Sequence, residues 1–189
     1  MKNLELIEPI KNRYSPIIFE NKNVEDKKLA LLFEAAQWAA SCNNEQSWRF
    51  IYAQKNQTEL YSMLFNCLVD FNKEWVVSAP ILMLSIAKKT FSLNGKPNRF
   101  AAYDLGQAVS SLSIQASSMG IQIHQMGGFD AEKAKSIFNL GDDFEPLSMI
   151  AIGYPGDVQK LTGKLLERSA RTRVRKNIDE IFFNQALVK

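Results

Sequence analysis

Two cysteines, Cys42 and Cys67, and one histidine, His124, are the only thiol and imidazole groups among the 189 residues. Without a CxxC pair, neither a disulfide framework nor a structural zinc site can be assembled, so no metal is expected. Any Ser-His-Asp or Cys-His catalysis would have to run through that single histidine. His124 lies among Ile121, Ile123 and Met126, where a satisfied structural role is expected. GxxxxGKS/T and GxGxxG are both absent, which removes the P-loop and the Rossmann phosphate turn. No apolar run is long enough to cross a bilayer. Trp75 to Ala87 spans 13 residues, is interrupted by Ser78, Pro80 and Ser85, and reads as a buried strand. Met1 to Pro9 carries Glu5 and Glu8 and lacks the apolar core of a secretory signal, so it is expected to stay in the protein, in a reducing cytoplasm. The charge excess, 23 Lys+Arg against 20 Asp+Glu, is too small to argue for nucleic acid as a partner.

What remains is an ordinary globular composition, 46% hydrophobic and 23% charged. A chain of this mass should expose roughly 9,000 Å² when folded, enough burial for one core. No repeat or flexible linker is visible, so residues 1–189 are expected to form one domain, with 157–189 as a C-terminal arm.

Leu4, Ile7 and Ile10 keep helical spacing. Asn23 is the expected cap of a second helix, with Leu29, Leu32, Phe33, Ala36 and Ala40 on one face and an end near Ser41. Trp48 to Tyr52 then reads as a strand, Thr58 to Leu68 as a helix, Pro80 to Ala87 as a buried strand, and Phe100 to Met119 as the longest helix, closed by Gly120. Ile121 to Met126 and Leu147 to Ile152 read as strands around a short helix capped by Asp130. The alternation predicts an α+β fold, a mixed central sheet flanked by helices. The last segment differs: Arg168, Arg171, Arg173, Arg175 and Lys176 precede an apolar Ile178, Ile181, Phe182 and Phe183. That tail is better buried on a partner than exposed, though packing on its own chain would also serve.

Three features could carry chemistry. Arg13-Tyr14-Ser15 pairs a bidentate cation with a hydroxyl, suited to a phosphate or simply solvated. Asn43-Asn44-Glu45-Gln46 offers carboxamides to a planar heterocycle or to a helix end. Gly127-Gly128 lets backbone approach a ligand closely, or makes a tight turn.

In order and spacing these segments resemble the nitroreductase family. Arg13-Tyr14-Ser15 is similar to its Arg-x-Ser opening, and Ala39 to Phe50 to its Ala-Pro-Ser-x-x-Asn-x-Gln-Pro-Trp-x-Phe. Gly127-Gly128-Phe129-Asp130 and Ile152-Gly153-Tyr154-Pro155 resemble two further family segments, and Arg173-Val174-Arg175-Lys176 the closing Arg-x-Arg-Lys. The resemblance implies an intertwined homodimer that binds FMN, takes electrons from NADH or NADPH and reduces a small electron-poor acceptor. Arg13, Tyr14, Ser15, Arg173 and Arg175 would sit at the FMN phosphate. Cys42, Asn44 and Gln46 would reach the flavin from the partner, Asn72 would address the ring, and the amides of Gly127 and Gly128 would face N5 and O4. No catalytic side chain is then required. Ile17 stands where some relatives carry a basic residue, and Trp75 where another lysine lies by the ring, with Lys73 as a nearby substitute. Phe91 to Tyr103 is the expected variable wall of the pocket. Other flavin chemistry, or flavin binding by a sensor or store without turnover, are the alternatives.

Overall fold

Leu29, Leu32 and Ala36, spaced by three and four residues, face inward along α2 (Asp26–Gln37). The same periodicity buries Ala101, Leu105, Ala108, Leu112 and Ala116 on α5 (Ala101–Ser118). The two helices cover one face of a four-stranded sheet, in contact with Ile81, Met83, Ile123, Ile150 and Ile152. These elements come from a computed structural model, which describes residues 5–186.

The strands are β1 (Trp48–Gln54), β2 (Ile81–Lys88), β3 (Gln122–Met126) and β4 (Phe144–Gly153), in the order β1-β2-β4-β3. All three pairings are antiparallel, with Trp48 opposite Ala87, Ile81 opposite Ile152 and Gln122 opposite Gly153. Residues 81–87 of β2 are buried without a break, because helices lie on both faces. Its alternate residues Leu82, Leu84 and Ile86 pack into a second core with α3 (Thr58–Asn66) and α4 (Asp70–Val76). The short helices α1 (Glu8–Asn12), α6 (Ala131–Ile137) and α7 (Gly163–Ser169) complete the chain. No helix among the described residues is long and apolar enough to cross a membrane.

The α+β class and the four strands agree with the sequence reading, but the sheet is antiparallel throughout rather than mixed, α4 and α7 have no counterpart in that reading, and the other differences lie at the ends of elements. Trp75 and Val76 do not begin a strand but close α4, and Pro80, which has no N–H to give a ladder, stands just before β2. Helix α2 is capped at Glu25 rather than Asn23 and stops at Gln37, short of Ser41. Asp130 caps α6 as expected, accepting from the Lys133 N–H at 2.9 Å, and Gly120 leaves α5 with φ +73. Helix α7 had no clear signal: a seven-residue helix that starts on a glycine carries too little periodicity.

A polar clasp joins α2 to the end of β4. The Tyr154 hydroxyl donates to the Glu25 carboxylate and accepts from Lys28 Nζ at 2.7 Å, while Lys22 Nζ lies 4.1 Å from the ring centroid. The Tyr154 hydrogen bond, a local backbone bond and the two lysines push the Glu25 carboxyl down to about 2. A carboxyl held below its unfolded value stabilises above that value and loses the contribution as pH falls toward the folded one. Tyr154→Phe should therefore flatten the dependence of melting temperature on pH between about 4.5 and 2. Thermal melts of both proteins across that range check this; equal slopes would contradict it.

Candidate active site

Buried polar side chains on β3 fix the segment that follows α1. Gln122 and His124 are two residues apart and so face the same way, and both are buried. Gln122 Oε1 accepts from the Tyr14 N–H at 3.1 Å, and His124 Nδ1 lies 2.7 Å from the Pro16 carbonyl. A carbonyl only accepts, so Nδ1 carries the proton. Burial lowers the His124 pKa, which keeps the ring neutral near pH 7. The imidazole also stacks on Trp75 at a centroid distance of 4.4 Å. His124 thus has the structural role its apolar neighbours suggested, and Gln122 shares it.

The tail returns to this segment. Arg173 Nη2 donates to the Arg13 carbonyl at 2.6 Å and to the Lys11 carbonyl at 3.2 Å. A cleft of about 390 Å³ results, lined by Ser15 and by Arg13, Arg168, Arg171, Arg173 and Arg175. Among the described residues, no carboxylate lies within ion-pair distance of any of the five guanidinium groups. Burial, then Arg173 and Arg175, lower the Arg13 pKa; burial and Arg171 do the same to Arg168. The like charges oppose one another without compensation, which suits a dianion with several oxygens to share. Burial also raises the Tyr14 phenol, against the pull of Arg173.

From the cleft a line of contacts runs through His124 and Trp75 to the glycine pair. Trp75 Nε1 donates to Asn72 Oδ1 at 3.2 Å, and Asn72 Nδ2 donates to the Gly128 carbonyl at 2.9 Å. The Val69 N–H reaches the same carbonyl at 3.2 Å, and the Asp130 N–H the Cys67 carbonyl at 2.8 Å. A Cβ on Gly128 would come 2.7 Å from Asn72 Nδ2 and 3.0 Å from Val69 Cγ2, so this glycine is required by packing. Gly127 is exposed, and a Cβ there would meet nothing within 4 Å. Arg13, Tyr14, Ser15, Asn72, Gly127, Gly128, Arg173 and Arg175 therefore share the β3 side of the molecule.

Cys42, Asn44 and Gln46 do not join them. They lie in the turn before β1, at the opposite edge of the sheet, three strand spacings or about 14 Å away. Helix α2 ends at Gln37, so these carboxamides do not cap it. Asn43, Asn44 and Gln46 have φ of 53, 55 and 52, a left-handed backbone that Asn tolerates and Gln adopts at a cost. Contacts with residues outside the turn hold it: Asp104 Oδ2 accepts from the Cys42 N–H at 3.0 Å, and the turn's own Glu45 Oε1 accepts from the Ser92 N–H at 2.9 Å and its hydroxyl at 2.6 Å. The Asn44 side chain is left exposed. Arg168 and Arg171, read from the sequence only as part of a basic arm, are additions to the site; with α7 unforeseen, nothing placed them beside Arg13.

The model of the nitroreductase family matches residues 10–154. An uncharacterized 15.4 kDa protein of Mycolicibacterium smegmatis is 35% identical over 85 residues, which is 45% of this chain and 57% of that protein. The chain thus spans little more than half of that relative's length. A Streptococcus pyogenes protein with the provisional name NAD(P)H nitroreductase is 26% identical over 183 residues, covering 82% of this chain and 90% of the other. A solved structure described as an oxidoreductase containing FMN superposes with a TM-score of 0.90 at 28% identity, covering 100% of this chain and 96% of that one. A protein of the same family from Clostridium difficile 630 shares the fold, with a TM-score of 0.73 at 24% identity over 97% of this chain and 100% of its own.

The two glycines should respond differently to a methyl group. Gly128→Ala should lower stability by roughly 1–3 kcal/mol, the usual cost of overpacking, and Gly127→Ala should leave it within about 0.5 kcal/mol. Denaturant melts of the ligand-free protein check this, and equal effects would contradict the packing assigned to Gly128.

Proposed function

The chain belongs to the nitroreductase family, and from that premise we propose that it is an FMN-dependent oxidoreductase. Its electron donor would be NADH or NADPH, and its acceptor a nitroaromatic, quinone-like or other small electron-poor molecule. The observation that carries the reading is the arginine cleft, a cluster of cations without a carboxylate, at the position the resemblance gives to the phosphate. Arg13, Ser15, Arg173 and Arg175 would hold that phosphate, with the backbone of Tyr14 fixed behind them by Gln122. Asn72 keeps one Nδ2 hydrogen beyond its bond to Gly128 and would turn it to the ring; the open backbone at Gly127 and the amide of Gly128 would face the reactive edge. When bound, FMN supplies hydride transfer in two half-reactions that share one ring face, so that donor and acceptor follow each other in a ping-pong sequence.

Cys42, Asn44 and Gln46 lie at the far sheet edge and would complete the site from a second copy of the chain. Two observations support a homodimer. Residues 171–186 are exposed throughout, including Val174, Ile178, Phe182 and Phe183 at 75, 71, 72 and 50%. The chain exposes 12160 Å², about a third more than the roughly 9,000 Å² expected for a monomer of its mass. A partner covering the arm would remove that surplus.

Anaerobic titration of the FMN-supplied protein with NADPH and then NADH tests the activity. Loss of the flavin absorbance on mixing is expected. Bound flavin that neither donor bleaches would favour a sensor or store, and absence of flavin binding would overturn the reading. For the dimer, a chain ending before Asn177 should sediment as a monomer or melt at lower temperature; unchanged sedimentation and melting would contradict the role given to the arm.

A further inference from the structure

Arg168 lies in the last turn of α7 with its guanidinium 5.1 Å from the ring centroid of Phe71 and 6.0 Å from that of Trp75. The two aromatic faces hold it at the arginine cleft, where Arg171 adds repulsion instead of neutralisation. Its Nη1 is buried and has no hydrogen-bond partner. A buried donor from a charged group with no acceptor carries its full desolvation cost, so the folded chain keeps this nitrogen poised at a loss. Beside it the cleft wall is apolar at Ile17, which is 5% exposed. Lys73 is engaged elsewhere, 3.2 Å from Asp70.

We propose that Arg168 is a direct ligand of the phosphate group this cleft takes, donating through Nη1 and bringing a further charge from α7. The proposal rests on the FMN reading and extends it to a residue on an element that the sequence did not reveal. It also makes ligand-free stability and ligand binding respond differently to one substitution. Loss of Arg168 relieves repulsion with Arg171 and removes an unsatisfied buried donor, while it deprives the anion of a charge-assisted hydrogen bond. A merely structural arginine would lower stability and leave phosphate selectivity alone.

The test uses the full chain and the variants Arg168→Gln and Arg168→Lys, titrated with FMN and with riboflavin, which lacks the phosphate, and followed by flavin fluorescence. Arg168→Gln should weaken FMN binding by roughly 10- to 100-fold and riboflavin binding by less than about twofold, with Arg168→Lys between wild type and Gln for FMN. Melting of the ligand-free Gln variant should stay within about 3 °C of wild type or rise. Unchanged FMN affinity, or equal weakening of FMN and riboflavin, overturns the proposal. If riboflavin binds none of the proteins, recovery of FMN affinity in Arg168→Lys supports it and absence of recovery overturns it. Failure of the wild-type chain to bind FMN would remove the cofactor reading itself, an outcome distinct from wild type and Arg168→Gln binding alike.

Discussion

Like charges held together without a counter-charge are the constraint on which the functional half of this molecule depends. Arg13, Arg168, Arg171, Arg173 and Arg175 line one cleft, and no described carboxylate approaches them. Left alone, such groups would move apart into water. They are kept in place by groups that bring no counter-charge: Gln122 and His124 bind the backbone around Arg13, Arg173 donates to the Arg13 carbonyl, and the ring faces of Phe71 and Trp75 hold Arg168. The sheet and its two cores supply the rigidity, and the cleft stores unfavourable electrostatics that an anion can release.

The same scaffold separates the candidate residues into two groups. Sheet order sends the turn of Cys42, Asn44 and Gln46 to the β1 edge and the glycine pair to the β3 edge. Each half is locally well determined, one by Asp104 and Glu45 around a left-handed turn, the other by Asn72 and Val69 around Gly128. The excess surface and the exposed apolar arm support the proposed second copy, which would join the halves.

Much of this was legible in the sequence, for physical reasons that differ between elements. Helix α5 and strand β2 announce themselves because burial on one face or on two leaves an unbroken pattern. Arg13, Ser15, Arg173 and Arg175 could be grouped only through a resemblance, since residues 160 apart in the chain meet by folding rather than by spacing. Helix α7 escaped notice because seven residues give two turns and little periodicity, and Arg168 went with it. The separate reasons behind the two glycines were also invisible: only the position of Asn72 shows that Gly128 answers to packing while Gly127 stays open.

The proposed account stands or falls on where the cofactor sits. A crystal structure of the FMN-saturated protein measures that directly. It should place the phosphate among Arg13, Arg173 and Arg175 of one chain, with Asn44 and Gln46 of a second copy against the flavin. A phosphate outside the arginine cleft, or a flavin enclosed by one chain alone, would contradict it.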